Sequence, residues 1–186
     1  MPTHIEDVRS FLEEKSVKYL FDAEKEVFII SFAPNVILVR LEENGEFLQF
    51  RTLNFYQYRD GKYKEGILQL LCEVNYQRKL VKFGYDKEDG EINACVDIPI
   101  EDSNFTSTQF FRSMAALLEA LDETRTRVTF LLETGKDPGA RPSKLSDRSL
   151  ENDASTHPSI DSLIKEIMDS SEQENEGNED QEEDEK

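Results

Sequence analysis

Apolar positions in this chain recur at two spacings, and the alternation between them divides the first 134 residues into helices and strands. Ile5, Val8, Phe11 and Leu12 fall on one face of a helix running to about Lys15. Thr3 followed by Glu6 has the form of a capping box that would open it. Val17, Tyr19 and Phe21 then fall at every second position, as on the buried face of a strand, and "DAEKE" turns the chain into a second strand, Val27 to Phe32. Pro34 breaks that strand. Val36 to Leu41 and Phe47 to Leu53 flank Asn44-Gly45, a pair that supplies the positive φ angles of a hairpin.

Past Gly61 the period changes to that of a helix, with Ile67, Leu70, Leu71 and Val74 on one stripe. Two further strands, Leu80 to Tyr85 and Ile92 to Ile98, enclose an Asp89-Gly90 turn, and Pro99 ends the second because it cannot donate to a ladder. "TST" at Thr106 to Thr108 caps a third helix, in which Phe110, Met114, Leu117, Leu118 and Leu121 form the stripe, continuing to about Leu132. The order αββββαββα predicts an α+β fold, a mainly antiparallel sheet with helices packed on it.

The sequence beyond is different in kind. All 18 aromatic residues precede Gly135, so core-forming material stops there, and residues 1–134 are expected to form one domain. Residues 135–186 carry 16 Asp+Glu against 6 Lys+Arg and are rich in Gly, Pro and Ser at their start, a composition that cannot offset the entropy of ordering. The reading is a disordered acidic C-terminal tail. One segment in it, 159–170, is amphipathic: Ile160, Leu163, Ile164, Ile167 and Met168 share a helical face, which makes them candidate partner-binding residues, in cis or in trans. Nine acids among the fourteen residues from Glu172 to Glu185 close the chain as a solvated block.

Charge narrows the partners. A net charge of −18 repels phosphate backbones and anionic lipid surfaces, which argues against nucleic-acid and membrane binding. The N-terminus has no signal-peptide pattern and no window approaches the ~20 apolar residues of a bilayer span, so the expectation is a cytoplasmic protein. Cys72 and Cys95 show no CxxC or paired His and read as buried reduced thiols, with no metal site expected.

Catalytic chemistry finds no foothold in the pattern, and no catalytic or cofactor-binding residue is assigned. The two histidines, His4 and His157, lie in a first helical turn and beside Pro158, where no core would orient either as a base. The eight glycines form no phosphate loop. Acids in "KEDGE" and "IEDSN" fit turn and capping roles, since such residues bond to nearby backbone amides. The alternative is a small-molecule or metal-sensing domain, or an enzyme, using the carboxylates around residues 86–102, with Asp86, Glu88 and Asp89 as candidates.

Two strands are more apolar than one buried face requires. "VFIISF" and "VILVRL" run almost continuously, which suggests cover on both faces. If three helices cover one face only, the other has an apolar surface for a partner or a second copy of the chain.

"ILQLLCEVNYQRKLVKFGYDKEDGEINACVDIPIEDSNFTSTQFFRSMAALLEAL" resembles the second half of a YbjN domain: a helix ending near an Asn, a strand with "FGYD", an acidic-Gly turn, a strand ending "IPIED" and a long helix. The resemblance extends over residues 3 to 132. It implies a fold similar to type III secretion chaperones, small acidic α+β proteins that commonly dimerise and bind client segments. A non-enzymatic, chaperone-like or regulatory protein-binding role follows as the expectation, with a protein client, a homodimer and no cofactor.

Overall fold

The computed structural model describes residues 3–100 and 105–139. Residues 140–186, which hold most of the tail expected to be disordered, the expected helix at 159–170 and the acidic block, fall outside the described residues, as do Glu101 and Asp102 of the acidic loop.

Among the described residues three helices, α1 (Ile5–Glu14), α2 (Lys64–Gln77) and α3 (Ser107–Thr134), accompany seven strands. The strands are β1 (Leu20–Asp22), β2 (Val27–Phe32), β3 (Asn35–Glu42), β4 (Phe47–Leu53), β5 (Tyr56–Gln57), β6 (Lys82–Tyr85) and β7 (Glu91–Pro99). All pairings are antiparallel, and β1 to β4 form a meander ordered β1-β2-β3-β4-β7-β5 with β6 on the far side of β7. The α+β class expected from the sequence is therefore observed, with one strand added to the order.

That strand, β5, explains how β7 is filled along its length. Residues Phe47–Arg51 of β4 pair with Pro99–Cys95, and Tyr56–Gln57 take over at Ile92–Glu91. Between the two registers the buried Thr52 hydroxyl accepts from the Ala94 amide (2.9 Å) and donates to its carbonyl (3.3 Å). A side chain thus replaces the ladder where β4 veers away, so no buried amide is left unpaired.

Two local readings shift. The cap of α1 is His4, whose amide donates to Asp7 Oδ2 at 2.7 Å, rather than Thr3 with Glu6. Thr3 is buried with its carbonyl close to Gly45, and that contact places the helix start one residue later. The strand expected over Val17 to Phe21 is shorter, though burial still alternates from Val17 through Phe21. At Asn44-Gly45 both φ angles are positive, 59° and 93°, inside a short 3-10 turn Glu43–Gly45. The TST cap is as expected: Thr106 Oγ1 accepts from the Gln109 amide at 3.2 Å, and Gln109 Oε1 accepts from the Thr106 amide at 2.9 Å.

All three helices lie on one face of the sheet. Phe11 and Phe50 both meet Phe110, with ring centroids 5.8 and 5.0 Å away, and Arg9 stands 4.7 Å over Phe21. Phe28, Ile30, Ile37, Val39, Leu48, Ile92, Ala94 and Val96, alternate residues of four strands, supply the sheet's side of the core. Burying eight such side chains against helices is the main drive to this architecture, at roughly 1.5–3 kcal/mol for each large aliphatic or Phe residue.

Helices α2 and α3 run antiparallel, joined by charge as well as apolar packing. Leu131 lies against Gly66, Arg127 pairs with Glu73 (3.2 Å), and Arg78 pairs with Glu119 (3.5 Å) and Glu123. Arg127 also reaches Glu123 (3.8 Å) and takes Asp137 in a two-pronged grip, Nε to Oδ1 at 2.9 Å and Nη2 to Oδ2 at 2.5 Å. Gly135, at φ 75°, turns the chain after α3 so that Asp137 comes back to the helix. The ordered fold therefore extends past the aromatic boundary at Gly135.

That grip predicts a pH response. The Arg127 hydrogen bonds hold the Asp137 carboxyl below its ordinary value, so the pair's stabilisation is complete at neutral pH and is lost as the pH falls through the acid range. Urea unfolding midpoints of wild type and Asp137→Asn should differ at pH 7 and converge below about pH 3. A gap independent of pH would show that the charge of Asp137 does not contribute.

Candidate binding face of the sheet

The face opposite the helices carries no helix among the described residues. Its side chains follow from the register: Leu20, Ile29, Leu38, Arg51, Cys95 and Lys82 form one row, Asp22, Val27, Arg40, Gln49 and Asp97 the next, and Ser31, Val36 and Leu53 a third. Apolar side chains predominate on β1, β2 and β3 (Leu20, Val27, Ile29, Val36 and Leu38), joined by Leu53 of β4, and polar ones predominate on β4, β7 and β6, joined by Arg40 of β3.

The apolar side is only partly covered. Leu20 is 72% exposed and Leu53 42%, while Ile29, Val36 and Leu38 are half-buried between them. Val27 alone of this set is buried. The continuous runs in β2 and β3 thus have one face in the core and the other open, and the two-sided cover they suggested is absent among the described residues.

Asp97 organises the polar side. It accepts from Gln49 Nε2 at 2.8 Å and from Lys82 Nζ at 2.7 Å, and Cys95 Sγ lies 3.7 Å away. Arg40 Nε donates to Gln49 Oε1 at 3.2 Å and its guanidinium pairs with Glu42. Burial pushes the Asp97 carboxyl up, but the hydrogen bonds from Lys82 and Gln49 outweigh it and the group titrates below its usual range. Burial, reinforced by the Asp97 charge, raises the Cys95 thiol. A raised thiol is a poor nucleophile at neutral pH.

The cysteines depart from expectation in burial. Cys72 lies exposed on α2 and Cys95 is half-buried on the open face, both as free thiols. Neither packs as a core hydrophobe, because each falls on the outward side of its element.

The candidate acids at the β6-β7 turn serve the turn. Asp86 Oδ1 accepts from the Glu88 amide and Asp89 Oδ1 from the Glu91 amide, each at 2.8 Å, and Glu88 is exposed. No group of three or more possible metal ligands occurs among the described residues. The partner-binding candidates Ile160, Leu163, Ile164, Ile167 and Met168, like His157, lie outside the described residues. The structure instead brings together a partly apolar open face that periodicity within single strands only hinted at. Its signal was the apolar residues Ile29, Val36 and Leu38 at positions a one-sided strand would fill with polar ones.

An antiparallel sheet with helices on one face and a half-apolar open face is the α+β architecture of this chain. The chain belongs to the YbjN family, described as "Putative bacterial sensory transduction regulator", which it matches over residues 4–130. Its fold is similar to that of YbjN from E. coli, with a TM-score of 0.53 at 13% identity over 67% of this chain and 93% of that one. It is also similar to the HopA1-SchA chaperone-effector complex, with a TM-score of 0.50 at 17% identity over 67% of this chain and 99% of the matched chain. Comparison with curated proteins gives no match. None of the described helices is long and apolar enough to cross a membrane.

Proposed function

We propose that this chain is a non-enzymatic protein-binding module, chaperone-like or regulatory, acting in the cytoplasm, and that its open sheet face receives a segment of a partner protein. The observation that carries the reading is the apolar group Leu20, Ile29, Val36, Leu38 and Leu53 standing beside hydrogen-bonding side chains without cover from the helices. Apolar area next to a polar border is how protein interfaces are built, the first supplying affinity and the second orientation. Likeness to a chaperone that holds an effector supports the class. The domain works as a homodimer, and the tail residues Ile160 to Met168 dock as a helix. Nucleic acid and membrane stay outside its partners, because an acidic surface repels both.

A photo-reactive phenylalanine analogue at Leu38 should form a discrete adduct with a partner protein in cells. The same probe at Gln69, on the exposed side of α2, should form none. Equal labelling from both positions would overturn the assignment of the face.

A further inference from the structure

We infer that two copies of this chain join edge to edge through β1, antiparallel about a two-fold axis at Leu20, so that their open faces form one surface. The inference rests on the homodimer proposed above and states where it forms.

The two edges of the sheet are treated differently. At β6, the Asn75 carboxamide of α2 accepts from the Phe83 amide (2.7 Å) and donates to the Phe83 carbonyl (3.0 Å). Asn75 therefore stands in for a neighbouring strand and closes that edge. At β1, no strand or side chain among the described residues takes such a position, and an open edge is a template for another strand.

The sequence along that edge is complementary to itself. In "KYLFD", where Lys18 and Tyr19 lead into β1 (Leu20–Asp22) and Asp22 Oδ1 accepts from the Glu24 and Lys25 amides, an antiparallel copy centred on Leu20 sets Lys18 opposite Asp22 of the second copy, Tyr19 opposite Phe21, and Leu20 opposite Leu20. Opposite charges and matched apolar residues directly across a strand pair stabilise it, and like charges do the reverse. A slip of two residues, the least that keeps side chains on their faces, sets Leu20 against Lys18 or Asp22. Only the Leu20 register matches both charge and apolarity. An edge lysine alone would ward off a neighbour; here its acidic complement lies on the same edge.

The pairing also accounts for the exposure of Leu20, at 72% the most exposed aliphatic side chain on the open face. Across the axis, Leu38, Ile29 and Leu20 of one copy continue into the same three residues of the other. The apolar half of the binding face is thereby doubled in length without a break.

Light scattering on the full chain, with Leu20→Lys and a Leu20→Cys variant carrying Cys72→Ser, tests this. Leu20 is exposed, so neither change disturbs the core. The expected result is a two-fold fall in mass for Leu20→Lys with an unchanged circular dichroism spectrum. Mild oxidation should link Leu20→Cys chains into dimers, because residues directly opposite fall within disulfide reach, while Leu53→Cys chains stay unlinked. A wild-type monomer at every concentration would overturn both the dimer and its interface. A dimer that survives Leu20→Lys and gives no Leu20→Cys disulfide would overturn this interface and leave dimerisation standing.

Discussion

Replacing Arg127 with alanine should destabilise the folded domain by about 3 kcal/mol, at the lower end of the range for breaking a buried ion pair. Arg127 is 1% exposed and is the cation that pairs with both Asp137 and Glu73 among the described residues. Its loss strands carboxylates of very different access to water. Glu73 is 43% exposed and rehydrates at little cost; Asp137 is 24% exposed and can swing out with the chain after Gly135. Glu123, at 9%, cannot, but keeps Arg78 as a partner. That remaining pair is why the lower end of the range applies.

The arginine stem fills space between the helices as well, and an alanine there leaves a void. Arg127→Met restores volume without charge and should recover less than half of the loss. Urea unfolding at pH 7 measures both variants. A cost under about 1 kcal/mol for Arg127→Ala would mean that the cluster behaves as an exposed network, each pair contributing little.

Arg127 also shows where sequence reading stopped. Leu121, Val128 and Leu131 mark the buried side of α3, and Arg127 lies four residues before Leu131 on that same side, with Glu123 four before it. Two opposite charges at helical spacing on an apolar face are a signal of a buried pair, but periodicity counts apolar residues and passes over them. By contrast, β2 and β4 match the pattern to the residue, Val27–Phe32 and Phe47–Leu53, because runs rich in β-branched and aromatic residues and bounded by Pro and Asn-Gly admit one interpretation. The two-residue β5 has no period to detect and exists through pairing with Ile92 and Glu91. Thr3-Glu6 and His4-Asp7 are both plausible caps, and burial of Thr3 near Gly45 decides between them. For the binding face, each strand's excess of apolar residues was legible. Its division into an apolar and a polar half was not, since that depends on which strands lie side by side.

Gly90→Ala should cost at least about 3 kcal/mol and could leave the chain unfolded, the size expected when strained dihedrals and a backbone clash coincide. Gly90 has φ 82°, and a Cβ there would stand 2.2 Å from Arg59 Cα and 2.3 Å from Arg59 N. Neither atom belongs to a flexible side chain, so the backbone itself must move. The Gly90 carbonyl accepts from the Tyr58 amide (2.8 Å) and its amide donates to the Asp86 carbonyl (2.9 Å), so movement breaks the turn or its contact with the segment after β5. Tyr85 reinforces that contact, its hydroxyl donating to the Arg59 carbonyl at 3.1 Å. Gly139 separates the two causes: its φ is 83°, but a Cβ there meets nothing within 4 Å. Gly139→Ala should cost about 1–2 kcal/mol, the dihedral penalty alone. Equal costs at the two positions would assign the whole effect to φ. The large gap expected assigns it to the close approach of Arg59, which makes the Asp89-Gly90 turn the point where β7 meets the chain leading into α2.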